Sequence, residues 1–430
     1  MGDHASIDDF VAWFRAASPY IHAHRGQTFV IGFGGTAVEQ QHFAHFLHDV
    51  ALLSSLGIRV VLVHGARHQI EARAGTGGIP LRRHRGLTVT DEALLPLVLE
   101  TVGALRLRIE ALLSMGLPSS PMAGARVRVA SGNFVTARPL GVVDGVDYGH
   151  TGCVRRVDGG AIRHHLDAGE VVLIPPLGYS PSGEVFNLGY RELAVAVASE
   201  LAAGKLILLT EGAAPLPPQL TLGEARRRLP GLGEDHPLNW AVRACESGIG
   251  RVHLVGQERD GALLAELFTR DGAGTLVSVS PYDDMRQARV DDVPGILELL
   301  EPLERSGVLV RRSREKLETE IDRFTVLVRD GAIIGCAALY PFPEQESGEL
   351  ACLVVHPDYR RQGFGEALLQ AIERQARAQG LRTLVLLSTR TGQWFKERGF
   401  EPAGLEVLPP ERRRLYNYQR GSRVFLRRLE

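Results

Sequence analysis

Arg360, Arg361, Gln362, Gly363, Phe364, Gly365 and Glu366 form the stretch of this chain best equipped for chemistry. Two arginines and two glycines there lead into a helical apolar pattern running from Ala367 to Ala378. Such a strand-to-helix turn can hold a diphosphate, because its backbone N–H groups and the positive end of the helix converge on one spot. Gly363 and Gly365 let the backbone approach the anion closely. What must position this turn is the apolar run Ala351 to Val355 before it, which reads as a strand.

Length and composition bound the possibilities. At 430 residues the chain is long for one core, so two or three domains are expected. The 49 basic and 50 acidic residues leave a formal charge of -1, with no face-wide basic run, which argues against nucleic acid and membrane as partners. Glu411 to Arg414 (ERRR) reads as a solvated face. Cys153, Cys245, Cys336 and Cys352 lie far apart without the pairing of a zinc or redox site, so no metal is expected and a reducing compartment fits. The N-terminus has no leader pattern and no run reaches membrane-spanning length, so the expectation is a soluble cytoplasmic protein.

Phe10 to His24 has helical apolar spacing, and Thr28 to Phe33 follows as a strand. Further strand-like runs at Val60 to His64, Val171 to Ile174, Leu206 to Thr210 and Val252 to Val255 alternate with helical stretches such as Phe43 to Leu56 and Arg191 to Ala203. That alternation predicts an α/β fold with a mainly parallel sheet covered on both faces. A linker near Pro281 divides the chain into domains 1–281 and 282–430, the second opening on an N-capped helix after Arg289.

The pattern R-R-Q-G-F-G resembles the Q/R-x-x-G-x-G/A signature of the GNAT acetyltransferases, in which this loop cradles the diphosphate of acetyl-CoA. The resemblance implies a mixed-sheet acetyltransferase domain that uses acetyl-CoA as co-substrate, with no tightly bound cofactor. It lays the pantetheine arm along the backbone of Leu353, Val354 and Val355 by main-chain pairing. Glu349, at the start of that strand, would then take the proton of an amine that must be neutral to attack the thioester. Many members of the family protonate the leaving thiolate from a tyrosine before a final G-F pair. Here that segment carries Trp394 and Phe395, which leaves Ser388 as the candidate hydroxyl.

Thr28 to Gly35 (TFVIGFGG), Val61 to Ile70 (VLVHGARHQI) and Arg85 to Asp91 (RGLTVTD) follow the order seen in amino acid kinases, most closely the acetylglutamate kinase branch. The resemblance implies a three-layer kinase-like first domain. Gly32 stands where those kinases place a catalytic lysine, and Thr88 where they place an arginine that holds the substrate carboxylate. Asn187 is followed by Leu188, Gly189 and Tyr190, and the chain has no lysine before Lys205. Phosphoryl transfer needs fixed positive charge around the phosphates, so neither productive ATP binding nor phosphorylation is expected. Tyr20, His253, Glu266 and Gly272 instead resemble the arginine-binding elements of arginine-inhibited acetylglutamate kinases.

The segments SGVLVRRSREKLE and LYNYQRGSRVF, and the two-domain order, resemble the bacterial N-acetylglutamate synthases over nearly the whole chain. That resemblance implies L-glutamate as acetyl acceptor, with Arg311 or Arg312, Arg420 and Ser422 holding its carboxylates by charge-assisted hydrogen bonds. It also implies L-arginine as feedback inhibitor and a hexamer assembled through the N-terminal helix. Other readings stay open: a protein-lysine acetyltransferase with a metabolite-sensing domain, and an acetylglutamate kinase or arginine-binding regulator that transfers no acetyl group.

Overall fold

Alternate residues of the central strands enter two different cores, and that alternation sets the architecture of the first part of the chain. The structure is a computed structural model that describes residues 7–115, 122–212, 216–233, 235–269, 271–279, 284–329, 332–360, 363–389, 391–416 and 421–429. Two compact units divide at Tyr282 and Asp283. In the first, helix α1 (Ile7–His24) precedes strand β1 (Thr28–Phe33), α2 (Phe43–Ser55), β2 (Arg59–His64) and α3 (Arg67–Gly77). Then come β3 (Val129–Ala130), β4 (Val171–Ile174), α4 (Tyr190–Glu200), β5 (Lys205–Thr210) and β6 (Gln219–Thr221). Helix α5 (Pro237–Glu246), β7 (Arg251–Gly256), α6 (Ala262–Phe268) and β8 (Thr275–Ser278) complete the set that builds the main sheet.

These eight strands lie in the order β6-β8-β7-β5-β1-β2-β4-β3. All neighbours run parallel except β7 and β8. Val30, Val61, Val63, Leu206 and Leu208 point into one core, closed by Leu193 and Val197 of α4 and Ala241 of α5. Phe29, Ile31, Leu62 and Ile207 point into the other, closed by Leu47 and Val50 of α2 and Leu263 of α6. A strand buried on both faces needs apolar residues at every position, and β1 and β2 are apolar throughout their interiors for that reason. Full burial of each such side chain contributes about 1.5–3 kcal/mol. A separate four-stranded sheet holds Val135–Pro139, Gly152–Val157, Leu177–Tyr179 and Val185–Asn187.

The second unit is a seven-stranded mixed sheet. Its elements are β9 (Asp284–Gln287), α7 (Val293–Arg305), β10 (Phe324–Arg329), β11 (Ala332–Phe342), β12 (Ser347–Val355) and α8 (Phe364–Ala378). After them come β13 (Thr383–Ser388), α9 (Gly392–Lys396), β14 (Glu401–Ala403), α10 (Pro410–Arg414) and β15 (Arg423–Arg428), giving the order β9-β10-β11-β12-β13-β15-β14. Helix α8 covers one face through Leu368, Leu369, Ile372 and Ala376, and α7 the other through Val293, Ile296, Leu299 and Leu300. No described helix is long and apolar enough to cross a membrane.

His64, the last residue of β2, is fully buried, and burial pushes its imidazole down to about 4, helped by Arg106 and opposed by a hydrogen bond at Gly65. An unfolded histidine titrates near 6.5, so this contribution to stability is complete above about pH 6.5 and is lost as the pH falls toward about 4. The expected loss is about 3 kcal/mol over that window, read as a falling urea midpoint. His64→Phe, similar in volume and uncharged, should flatten the dependence; an unchanged slope would contradict this assignment.

Candidate functional site

The site in the second unit begins with a break in strand pairing. Strands β12 and β13 pair in parallel from Ser347 opposite Thr383 to Leu350 opposite Leu386, and there the pairing ends. Beyond it, Leu387 and Ser388 pair with β15, while Val354 and Val355 keep only β11. Between Cys336 and Ala338 the β11–β12 register shifts, and Cys352 there adopts a left-handed φ of 51°, the signature of a bulge that turns the strand. The β13-facing backbone of Leu353 to Val355 is therefore turned toward an opening, as a main-chain mode of ligand pairing requires.

At the far end of β12 the chain turns through Pro357–Tyr359 toward the glycine turn before α8. Arg360 is exposed and its Nε donates to the Val355 carbonyl at 3.4 Å. Gly363 is the N-cap of the fifteen-residue α8, with φ 83° and no side chain occupying the first N–H groups. Those groups remain available to an anion. A Cβ on Gly365 would come within 3.3 Å of the Trp394 ring, so this turn packs closely against α9. Phe364 is half-buried against the core, with the Arg329 guanidinium 5.1 Å from its ring. Glu366 is committed elsewhere: its carboxylate bonds Arg398, whose guanidinium lies 3.8 Å over the Trp394 ring. Arg361 and Gln362 lie outside the described residues.

Glu349 is a buried residue between two strands, only 7% exposed. Its Oε2 accepts from Arg412 Nε at 2.5 Å. The expectation that ERRR is merely a solvated face is thereby corrected for Arg412: a buried carboxylate needs a compensating charge, and α10 delivers one, while Arg413 and Arg414 stay exposed. Arg412 is the residue that sequence reasoning missed, because its partner is 63 positions away. Ser388 is buried at the end of β13; its hydroxyl shares a 2.9 Å hydrogen bond with Thr391 Oγ1 and accepts from the Thr391 N–H at 3.0 Å. It therefore also caps the turn into α9.

Across the sheet from Glu349 stands Tyr340, its register partner on β11. Arg312 Nη1 donates to the Val310 carbonyl at 3.2 Å beside Tyr340, whose hydroxyl donates to Glu320 at 2.8 Å. Cys352 lies in the same neighbourhood, where burial pushes its thiol up to about 11, so it adds no charge beside Arg312. Tyr340 and Glu320 are further members of the site that the sequence did not signal. Arg311 is exposed, Ser422 is buried with its carbonyl accepting from the Tyr416 hydroxyl at 2.7 Å, and Arg420 lies outside the described residues.

In the first unit the structure brings His253, Glu266 and Gly272 together. His253 Nδ1 lies 2.6 Å from Glu266 Oε1, and Glu266 Oε2 accepts the N–H groups of Ala273 and Gly274 at 2.7 and 2.8 Å. Gly272 has φ 66° and no room for a side chain, since a Cβ would meet Glu266 Oε2 at 2.5 Å. Burial pushes the Glu266 carboxyl up, but the bond from His253 and the two backbone donors outweigh it and hold the group below its ordinary value. Burial, reinforced by Lys205, holds the His253 imidazole down. A neutral His253 then donates from Nδ1 to Glu266, and its Nε2 faces Lys205 Nζ at 3.4 Å. Tyr20, on the last turns of α1, packs against the core that contains Leu263 and Leu267 of α6.

In the first unit the loop after β1 carries a carboxylate beside its glycines. Gly32 lies inside β1 under α4, where a Cβ would meet Leu208 Cδ2 at 2.9 Å and Ala194 Cβ at 3.1 Å. After β1, the Thr36 hydroxyl bonds Glu211 and receives Gln257 Nε2 at 3.1 Å, so a carboxylate sits against the glycine turn Gly34–Gly35. Thr88 is half-buried, and Asn187 bonds Thr90 Oγ1 at 3.1 Å. Among the described residues, no group of His, Cys, Asp and Glu is placed to hold a metal ion.

Comparison with known proteins gives the same two-part arrangement. Residues 27–213 match the amino acid kinase family and residues 293–400 the acetyltransferase (GNAT) family. The amino-acid acetyltransferase of Azotobacter vinelandii is 53% identical over 426 residues, covering 97% of this chain and 99% of that protein. The Pseudomonas aeruginosa protein of the same name is 51% identical over 428 residues, with the same coverage. Among solved structures, the N-acetylglutamate synthase from Neisseria gonorrhoeae complexed with coenzyme A and L-arginine superposes with a TM-score of 0.91 at 42% identity, over 98% of this chain and 99% of that one. The same enzyme complexed with coenzyme A and N-acetyl-glutamate gives a TM-score of 0.62 over the same shares.

Restoring the missing lysine should not restore phosphorylation. Gly32→Lys places a side chain against Leu208 and Ala194 and leaves Glu211 at the glycine turn. The expected outcome is a loss of about 1–3 kcal/mol of stability and no ATP turnover with N-acetyl-L-glutamate. Measurable ADP release by this variant would overturn the account.

Proposed function

Because this chain belongs to the bacterial N-acetylglutamate synthase family of amino-acid acetyltransferases, we propose that it transfers the acetyl group of acetyl-CoA to the α-amine of L-glutamate. The observation that carries this reading is the buried Glu349 beside the split of β12 from β13, on the strand that feeds the diphosphate turn. The turn at Gly363–Gly365, with Arg360 alongside, holds the diphosphate, and pantetheine pairs with the backbone of Leu353 to Val355. The glutamate amine attacks the thioester carbonyl while Glu349, directly or through a water, takes the amine proton. Collapse of the tetrahedral intermediate breaks the C–S bond. Ser388, whose own acidity is too weak for ready proton loss, stabilises the departing thiolate by a hydrogen bond until a proton reaches it.

The two carboxylates of glutamate call for two cationic clamps. Arg312, beside Tyr340 and Glu320, supplies one, and Arg412 the other, with Ser422 at the β15 end of the site and Arg311 and Arg420 as further candidates. Arg412 still has N–H donors beyond the one given to Glu349, so it can hold substrate and base together. Such clamps fit a small diacid better than a protein lysine, which brings no carboxylate of its own.

L-Arginine inhibits by binding at Tyr20, His253, Glu266 and Gly272, so the committed step of arginine synthesis answers to its end product. The Glu266 carboxylate offers the guanidinium a bidentate partner once it exchanges the donors it now holds. Control follows only if arginine binds two arrangements of the protein unequally. By the family pattern the enzyme is a cytoplasmic hexamer.

Mixing the protein with acetyl-CoA and L-glutamate should release free thiol, and adding L-arginine should slow that release. No glutamate-dependent thiol would refute the activity. Glu349→Ala should abolish transfer, by at least about 10²-fold in kcat, with coenzyme A affinity largely intact by calorimetry. Equal turnover in that variant would remove Glu349 from the role of base.

A further inference from the structure

The first turn of α8 carries a carboxylate where the diphosphate of a bound acetyl-CoA would least tolerate one. Gly363 is the N-cap, so Glu366 is the third helical residue, the position from which a glutamate side chain commonly folds back onto the N-cap N–H. Folded back, it would occupy the N–H groups that the turn offers to an anion and set its own charge against the diphosphate. In the structure it is drawn away from both. Its Oε2 accepts from Arg398 Nε, and its Oε1 lies 3.5 Å from Gln370 Nε2, one helical turn further along. No side chain caps the helix.

Arg398 is fixed from several directions although its side chain is 24% exposed. Its Nη1 donates to the Trp394 carbonyl at 2.9 Å, and its guanidinium lies 3.8 Å over the Trp394 ring. Its own carbonyl accepts from Arg427 Nη1 at 2.7 Å. Arg427 in turn pairs at 2.6 Å with Glu373, a buried residue of α8 two turns beyond Glu366. The edge of the Trp394 ring stands beside Gly365, where a Cβ would meet Cζ2 at 3.3 Å. The guanidinium is thereby held against α8 at its first turn and again further along. A partly exposed ion pair contributes at most about 1 kcal/mol to stability, so the larger effect of this one is on where the Glu366 carboxylate lies.

We propose that Arg398, braced by Trp394, is a positioning residue for donor binding: it keeps the Glu366 carboxylate off the free N–H groups of α8 and offsets its charge, leaving the glycine turn open to the diphosphate. The proposal rests on the acetyl-CoA reading of that turn. Arg398 acts through Glu366 and not on the reacting atoms.

Arg398→Ala releases Glu366. Calorimetry should then give a Kd for coenzyme A about tenfold or more above that of the unaltered protein. The KM for acetyl-CoA should rise in step while kcat stays within about threefold. Adding Glu366→Ala to Arg398→Ala should return Kd and KM to within about threefold of the unaltered protein, since alanine brings neither charge nor acceptor to the turn. S-Acetylpantetheine, which lacks the diphosphate, should be used with the same kcat/KM by the unaltered protein and by Arg398→Ala. Undiminished coenzyme A affinity in Arg398→Ala, no recovery in the double variant, or an equal loss with S-acetylpantetheine would each overturn the proposal. Arg398→Lys, which keeps the charge without the stacked guanidinium, should fall between, and it carries the comparison if the alanine variant folds poorly. Coenzyme A affinity is read without turnover. A protein that binds coenzyme A yet releases no thiol with L-glutamate would refute the proposed reaction, and the calorimetry would still decide the role of Arg398.

Discussion

The second unit depends on a strand that has two neighbours for half its length and one for the rest. Up to Leu350, β12 is closed on both edges by β11 and β13; beyond the bulge at Cys352, its β13 edge is open. Backbone groups left without partners away from water cost about 1–3 kcal/mol each, so such an edge persists only where water or a ligand can reach it. The same divergence places the last closed part of the strand, where Glu349 is buried, next to the opening. A carboxylate there is costly unless paired, which is why Arg412 must come from α10. The glycine turn, the open edge and the buried carboxylate are three consequences of one change in pairing.

In the first unit the sheet that Gly32 belongs to carries a carboxylate, not a cation, at the glycine turn after β1. Gly34 and Gly35 still form a tight turn at the end of β1, yet Glu211 faces that turn through Thr36. The strand interior at Gly32 has closed over with Leu208 and Ala194, leaving no channel for a long cationic side chain. Charge has been kept at the opposite side of the sheet, in the chain Lys205, His253, Glu266. There a neutral imidazole links a cation to an anion, and the Glu266 carboxylate ties α6 to the backbone of Ala273 and Gly274.

These two arrangements differ in how they hold charge. At Glu349 a single arginine from a distant helix compensates one carboxylate. At Glu266 the compensation comes from the N–H groups of Ala273 and Gly274 and from His253 on β7, without a cationic side chain in direct contact among the described residues.

Local sequence was enough for the elements whose pattern is short-range. The apolar run of β1 and the helix of α8 follow from periodicity, and the structure adds that Gly363 before α8 takes a left-handed φ. Family resemblance, not spacing, singled out Glu349, Ser388, Arg312 and the His253–Glu266 set. What the sequence by itself could not decide was pairing across long separations. Arg412 looked like one of three solvated arginines, and Tyr340 and Glu320 carried no motif at all. Periodicity reports which face of an element is buried, but a buried charge takes its partner from whichever element the tertiary fold brings within hydrogen-bond reach, and no local signal encodes that choice.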